Sequence, residues 1–200
     1  MVKKNIFKGI IICGGQSSRM GSDKSLLFWN GVPFYKHIEK ILSKHCDQVF
    51  ISCNESQKSN YDLPVIVDNY EQIGPMAGVL TSLESSPNCP IFTIPCDMPF
   101  IDQGIIKKMI DGYNNTFDGV FIKDSKGQIE PLFAIFNPKI YSKILHWYNS
   151  RNYSLTQFIK TLDDVCYVAV NEYHLINLNT PAEFQDFNQT HLGVYSNVQV

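Results

Sequence analysis

The sequence predicts an α/β fold, a three-layer Rossmann-like sandwich with a mostly parallel mixed sheet. Short apolar runs rich in β-branched residues alternate along the chain with segments of helical periodicity. In the first hundred residues this alternation has the spacing of βαβ units. Continuous apolar strands between amphipathic helices indicate a sheet that is covered on both faces. The 200 residues fit a single domain over residues 1–190, followed by a tail at residues 191–200.

Each element follows from its own local pattern. Apolar runs bounded by turn-forming residues predict strands at residues 9–13, 48–53, 64–67, 90–95, 117–122, 131–136 and 165–170, with a further short element at 175–178. Apolar residues three and four positions apart predict helices at residues 33–46, 78–83, 105–113, 139–148 and 154–161, and a last helix from residue 181.

Composition and charge exclude several classes of protein. The formal net charge of -2 gives no electrostatic reason to expect a nucleic acid or a membrane surface as partner. No apolar run approaches membrane-spanning length, and residues 10–13 are too short for a signal peptide. The cysteines have no C-x-x-C or zinc-ligand spacing, so we expect reduced thiols and a cytoplasmic protein. They are Cys13, Cys46, Cys53, Cys89, Cys96 and Cys166.

A glycine-rich turn follows the first predicted strand and reads Cys13-Gly-Gly-Gln-Ser-Ser-Arg-Met-Gly-Ser-Asp-Lys24. The adjacent Gly14 and Gly15 let backbone N–H groups point at phosphate oxygens without side-chain obstruction. Arg19 and Lys24 add two positive charges, which suit a triphosphate. With arginine, glycine and Asp-Lys after the glycine pair, the pattern favours a phosphate-binding loop over a solvated turn with incidental basic residues.

Two familiar nucleotide-binding motifs fail on spacing. A Walker P-loop has glycine directly before its lysine, whereas here Asp23 precedes Lys24. A dinucleotide fingerprint needs G-x-G-x-x-G, which Gly14, Gly15 and Gly21 do not form. A nicotinamide-dependent oxidoreductase is therefore disfavoured.

Polar residues follow the predicted parallel strands at the edge where α/β sheets bind ligands. Asn54, Asp68 and Asp97 follow the second, third and fourth strands, and Asn177 and Asn179 lie near the last predicted element. Because Mg²⁺ binds few carboxylates together with substrate phosphate oxygens, Asp97 is predicted to hold it. The alternatives are a turn or helix-cap role for Asp97 and an Asx-turn for Asp68.

A second loop of small residues, Gly74-Pro75-Met-Ala-Gly78, precedes a predicted helix. It could let a flat base approach the backbone closely, or it could be only the start of that helix. The histidines are scattered and are interpreted as surface or packing residues. They are His37, His45, His146, His174 and His191.

Four motifs occur in a fixed order over residues 10–185. They are G-G-x-x-x-R-M-G-x-D-K at 14–24, G-P-x-A-G at 74–78, P-x-D-x-P at 95–99 and N-x-N-T-P at 177–181. In this combination the chain resembles the molybdenum cofactor guanylyltransferases, the MobA-type family of nucleotidyltransferases. The resemblance implies a single nucleotidyltransferase domain that uses Mg²⁺. It would transfer GMP from GTP to the terminal phosphate of molybdenum-loaded molybdopterin and release pyrophosphate.

The resemblance also implies roles for the matching residues. Lys24, Arg19 and Asp97 would be catalytic, with Asp97 also the metal ligand, and Asn177 and Asn179 would face the acceptor. The nucleotide would be bound by Ile12, Cys13, Gly14, Gly15, Gly21, Lys24, Asn54, Asp68, Gly74, Pro75, Gly78 and Asp97.

Partners and alternatives complete the prediction. The implied partners are GTP and molybdopterin, and further ones are molybdoenzymes or other cofactor-assembly proteins. One departure affects the acceptor side, since Ile129-Glu130-Pro131 stands where some family members have His-Pro. A cytidylyltransferase using CTP is an alternative, although residues 74–78 fit the guanylyl form better. A non-catalytic nucleotide-binding regulator is another.

Overall fold

The computed structural model describes residues 7–14, 24–29, 31–70, 74–178 and 183. Its strands are β1 (Lys8–Ile12), β2 (Phe28–Trp29), β3 (Val32–Pro33), β4 (Gln48–Cys53), β5 (Val65–Val67), β6 (Ile91–Pro95), β7 (Gly119–Lys123), β8 (Ile129–Phe136) and β9 (Val165–Ala169). Its helices are α1 (Phe34–Leu42), α2 (Met76–Glu84), α3 (Gln103–Asp111), α4 (Tyr141–Asn149) and α5 (Leu155–Ile159).

Seven strands form one sheet in the order β5-β4-β1-β6-β8-β7-β9, and β2 and β3 form a separate small hairpin. In the main sheet β1 pairs in parallel with both β4 and β6. Only β8 runs against its two neighbours, β6 and β7, among the described strands. The predicted mostly parallel mixed sheet is therefore confirmed, and β1, which leads into the glycine-rich turn, lies inside it.

The helices cover both faces of the sheet, because its strands are apolar on both sides. One core cluster contains buried residues of α1 and α3, including Ile38, Leu42 and Ile106. The opposite cluster contains residues of α2, α4 and α5, including Leu80 and Ile144. The three-layer sandwich is confirmed. No helix in the described ranges has the length and apolar character needed to cross a membrane.

Most element boundaries agree with the sequence prediction to within a few residues. The β2–β3 hairpin was not predicted, because each of its strands is only two residues long. The short element expected at 175–178 is not a strand. Glu172–Leu175 instead form a 3-10 helix, since the Asn171 side chain caps it by accepting a hydrogen bond from the backbone N–H of Tyr173. The tail, and the helix expected from residue 181 except Glu183, lie outside the described residues.

The parallel register aligns the carboxyl ends of the central strands. Backbone hydrogen bonds continue this alignment past the strand ends, from the Cys13 N–H to the Ser52 carbonyl at 2.8 Å and from the Cys96 N–H to the Ile12 carbonyl at 3.1 Å. The residues that follow β1, β4 and β6 are thus held side by side, at the edge where open α/β sheets bind ligands.

Candidate functional site

A small cavity of about 90 Å³ lies at the carboxyl ends of β1 and β6. Its lining includes Ile12, Cys13, Gly14, Lys24, Cys96 and Asp97. A larger groove of about 650 Å³ lies at the opposite end of the strands, beside Lys8 and Gln48 at the amino ends of β1 and β4. None of the predicted site residues lines it. The chemistry predicted from the sequence therefore converges on the smaller cavity.

Lys24 and Asp97 face each other in this cavity. Lys24 Nζ lies 3.8 Å from Asp97 Oδ2, and the two side chains are 21% and 19% exposed. Burial raises the pKa of Asp97 above its usual value, and the positive charge of Lys24 offsets only part of this rise. Lys24 and Asp97 thus place one cation and one carboxylate side by side, both largely shielded from solvent. With ligands bound, Lys24 could contact a phosphate and Asp97 a metal ion instead of each other.

Lys24 is positioned by the short 3-10 helix Lys24–Leu26, which ends before the β2–β3 hairpin. Ser25 is fully buried, and a hydrogen bond of 2.7 Å joins its Oγ to the Tyr61 hydroxyl. The next residue, Leu27, packs against the apolar cluster of Phe34, Phe100 and Leu178. These contacts fix the backbone on the carboxyl side of Lys24, so its side chain has a defined direction into the cavity.

Asp68 forms the floor beneath the start of the glycine-rich turn. Its Oδ1 accepts a hydrogen bond of 2.8 Å from Ser52 Oγ. A Cβ on Gly14 would lie 2.6 Å from Asp68 Oδ2, and a Cβ on Gly78 would lie 2.6 Å from Ser52 Oγ. Burial raises the pKa of Asp68 to about 6. Gly14, which follows β1, and Gly78 of α2 therefore meet around the Asp68 carboxyl group.

The approach of Gly78 to Ser52 predicts an effect on stability. Gly78→Ala should lower the free energy of unfolding by roughly 1–3 kcal/mol, because the new methyl group overpacks a buried contact. Urea denaturation of the single and double variants measures this. In a Ser52→Ala background the same change should instead stabilise by about 1 kcal/mol, since alanine is the better helix former within α2. Equal effects in the two backgrounds would contradict the contact.

The raised pKa of Asp68 predicts a pH-dependent stability. A carboxyl group whose pKa rises from 3.8 to about 6 on folding stabilises the folded state below pH 3.8. That stability is lost as the pH rises through 6. The free energy of unfolding of Asp68→Asn, minus that of wild type, should therefore become more positive by at most about 3 kcal/mol between pH 4 and pH 7.5. Chemical denaturation at both pH values tests this, and a pH-independent difference would contradict it.

Asn54 caps the 3-10 helix Glu55–Asn60 that follows β4. Its Oδ1 accepts hydrogen bonds from the Gln57 backbone N–H at 3.1 Å and from Ser56 Oγ at 2.6 Å. The Gln57 side chain in turn donates to the Cys13 carbonyl at 3.5 Å. Asn54 thus braces the start of the glycine-rich turn through Gln57. Its nucleotide-binding role stays a prediction.

The other predicted residues are placed less closely together. Gly74 and Pro75 directly precede α2, with Pro75 as its N-cap, so this loop does begin a helix. Asn177 is exposed, and the backbone N–H of the next residue, Leu178, donates to the Asp97 carbonyl at 3.0 Å. The C-terminal motif therefore reaches the Asp97 loop. Four predicted site residues lie outside the described residues: Gly15, Arg19, Gly21 and Asn179.

Glu130 is a site residue that the sequence did not single out for a role. It lies on β8, and its Oε1 accepts a hydrogen bond of 3.3 Å from the N–H of Leu132, a residue that lines the cavity. Burial raises the pKa of Glu130, and the negative charge of Asp97 raises it further. Two carboxyl groups therefore share this end of the site.

A glycine turn, a lysine and a carboxylate at the carboxyl edge of a mostly parallel sheet define the class of α/β nucleotide-binding proteins. Within that class, the chain matches the MobA-like NTP transferase domain over residues 9–165 and belongs to this family. The family resemblance seen in the four sequence motifs is confirmed.

Named relatives extend the comparison. A molybdenum cofactor biosynthesis bifunctional protein of Synechocystis sp. is 29% identical over 184 residues; the match covers 90% of this chain but 53%, about half, of that protein. The molybdenum cofactor guanylyltransferase of Pseudomonas aeruginosa is 28% identical over 177 residues, 86% of this chain and 89% of that protein.

Solved structures agree on the fold. Molybdopterin-guanine dinucleotide biosynthesis protein A from Archaeoglobus fulgidus matches with a TM-score of 0.74 at 18% identity. This match covers 92% of the present chain and 98% of that one. At this identity the likeness shows a shared fold.

Proposed function

We propose that this protein transfers GMP from GTP to the terminal phosphate of molybdopterin and releases pyrophosphate. The observation that carries the proposal is the placement of Lys24 and Asp97 in one cavity beside Gly14, at the carboxyl ends of β1 and β6. The family supports nucleotidyl transfer, and relatives named guanylyltransferases support the choice of GTP.

Mg²⁺ is the proposed cofactor, and the donor set fits it. Among the described residues no group of three or more His, Cys, Asp or Glu side chains could hold a metal. Asp97 and Glu130 nevertheless offer two neighbouring carboxylates, and Mg²⁺ commonly binds one or two carboxylates together with substrate phosphates and water. When bound, Mg²⁺ supplies positive charge that stabilises the negative charge of the reacting phosphates.

The proposed reaction is an in-line displacement at the α-phosphorus. An oxygen of the acceptor phosphate forms the new P–O bond, and the bond to the β-phosphate breaks, so pyrophosphate leaves with the electron pair. Because the acceptor phosphate is already ionised, the protein need not supply a strong general base. Lys24, with Arg19 as its predicted companion, would offset the charge that builds on pyrophosphate. Positioning and electrostatic stabilisation then account for the catalysis.

Incubation with Mg²⁺, molybdenum-loaded molybdopterin and either GTP or CTP tests the proposal. We expect the guanine dinucleotide with GTP and no product with CTP. Product with CTP alone would keep the reaction and overturn the base assignment. Binding of GTP without product from either nucleotide would overturn the enzyme assignment in favour of a nucleotide-binding regulator.

Location and further partners are part of the same proposal. The six cysteines are free thiols, which agrees with a reducing compartment such as the cytoplasm. Because the product of the proposed reaction is a cofactor, molybdoenzymes or other cofactor-assembly proteins are the expected recipients.

A further inference from the structure

The segment that carries Asp97 joins β6 to α3 without regular secondary structure. Residues 96–101 are buried except for the half-buried Asp97. A buried backbone carbonyl outside a helix or sheet needs a hydrogen-bond donor from elsewhere, because an unpaired one is costly. The conformation of this segment, and with it the position of the Asp97 carboxylate, thus depends on donors supplied by other elements.

Three donors from other elements bind its carbonyls. His37 of α1 places Nε2 3.0 Å from the Pro99 carbonyl oxygen. His174, in the 3-10 helix Glu172–Leu175, places Nδ1 2.8 Å from the Phe100 carbonyl oxygen. The Leu178 backbone N–H donates to the Asp97 carbonyl itself at 3.0 Å. The segment is therefore held from the α1 side and from the C-terminal side.

The two histidine contacts fix the position of a proton on each ring. A carbonyl oxygen can only accept, so His37 carries its hydrogen on Nε2 and His174 carries a hydrogen on Nδ1. His37 uses Nε2, the ring nitrogen farther from its own Cα, whereas His174 uses Nδ1, the nearer one. Alanine cannot replace either donor, and an amide side chain of the right length can.

We propose that His37 and His174 are positioning residues that hold the Asp97 segment in the geometry needed for metal binding opposite Lys24. Neither ring is proposed to touch substrate or to transfer a proton. This inference rests on the proposed function only in taking Asp97 as a metal ligand, and it assigns a role to two of the histidines interpreted from the sequence as surface or packing residues.

Titration with Mn²⁺ alone, followed through the EPR signal of free Mn²⁺, tests the proposal. His37→Ala and His174→Ala should each weaken Mn²⁺ binding roughly 10- to 100-fold, the usual loss when a group that orients a metal ligand is removed. His45→Ala is the matched control. It removes a comparable hydrogen bond, from His45 Nε2 to Gln103 Oε1 at 2.7 Å, which lies outside residues 96–101, and should leave Mn²⁺ affinity unchanged.

Amide substitutions separate positioning from general loss of packing. Glutamine places its N–H₂ near the position of histidine Nε2, and asparagine places it near Nδ1. Affinity should therefore return in His37→Gln but not in His37→Asn, and in His174→Asn but not in His174→Gln. These paired variants differ little in polarity, so the comparison holds even if the alanine variants fold poorly.

The outcomes separate this proposal from the proposed function. Wild-type Mn²⁺ affinity in both alanine variants, or equal affinity within each amide pair, would overturn the positioning role while leaving the reaction intact. A wild type that binds Mn²⁺ but transfers no GMP would overturn the reaction, and the affinity pattern of the variants would still support the positioning role. A wild type that binds no Mn²⁺ would overturn the metal role of Asp97 and the positioning role with it.

Discussion

Lys24→Ala should lower kcat for GMP transfer about a hundred- to thousandfold, or ~2.7–4 kcal/mol of transition-state stabilisation. Lys24 is the cation that the structure places against Asp97 in the cavity, and Glu130 adds a second carboxyl group nearby. Without Lys24, the negative charge that develops on the leaving pyrophosphate would lose one of the positive charges that offset it, close to these carboxyl groups. The loss should fall on kcat more than on KM, because this charge is largest in the transition state.

Steady-state release of pyrophosphate at saturating Mg²⁺ measures this loss. Lys58→Ala is a suitable control, since Lys58 is an exposed lysine paired only loosely with Glu55, at 3.7 Å, and lies away from the cavity. Turnover of Lys24→Ala close to that of this control would contradict the assignment of Lys24.

Asp97→Asn should lower kcat for GMP transfer by a factor similar to that of Lys24→Ala. It should also raise the Mg²⁺ concentration needed for half-maximal turnover. Asparagine keeps the size of the side chain and leaves the backbone hydrogen bond from Leu178 in place, but it removes the negative charge from the proposed metal site. Because burial disfavours the charged carboxylate of Asp97 and Lys24 offsets only part of that effect, the variant should be no less stable than wild type.

Turnover across a Mg²⁺ titration and urea denaturation together test this second prediction. Asp111→Asn provides the control, since Asp111 is an exposed carboxylate at the end of α3 that pairs with Lys107. If Asp97→Asn turns over at a near-normal rate at saturating Mg²⁺, the metal role of Asp97 is wrong. A large loss of stability would instead show that Asp97 supports the fold.

The sequence was sufficient for the main sheet and its covering helices, and for several residues that meet at the centre of the candidate site. Continuous apolar runs identified the central strands, because a strand buried on both faces admits few polar residues. The rule that ligands bind at the carboxyl ends of such strands then selected Gly14, Asp68 and Asp97 from their positions alone. Of these, Gly14 and Asp97 line one cavity and Asp68 lies beside Gly14.

The remaining parts of the site depend on contacts between distant segments. Glu130 lies within the electrostatic influence of Asp97 because β8 inserts antiparallel between β6 and β7, and no local pattern specifies that order. Its register with β7 also shifts between Phe121 and Ile122, where β8 advances from Ala134 to Glu130. Ser52 is similar, since only the pairing of β4 with β5 brings it beside Asp68.

Transfer of radiolabel tests the central claim most directly. GTP labelled at the α-phosphate is incubated with Mg²⁺, molybdenum-loaded molybdopterin and the wild-type protein, in parallel with GTP labelled at the γ-phosphate. We predict that the α-label appears in a molybdopterin dinucleotide and the γ-label in pyrophosphate, and that Lys24→Ala and Asp97→Asn form little of either product. Retention of the α-label in free guanine nucleotide, with no dinucleotide formed, would contradict the account.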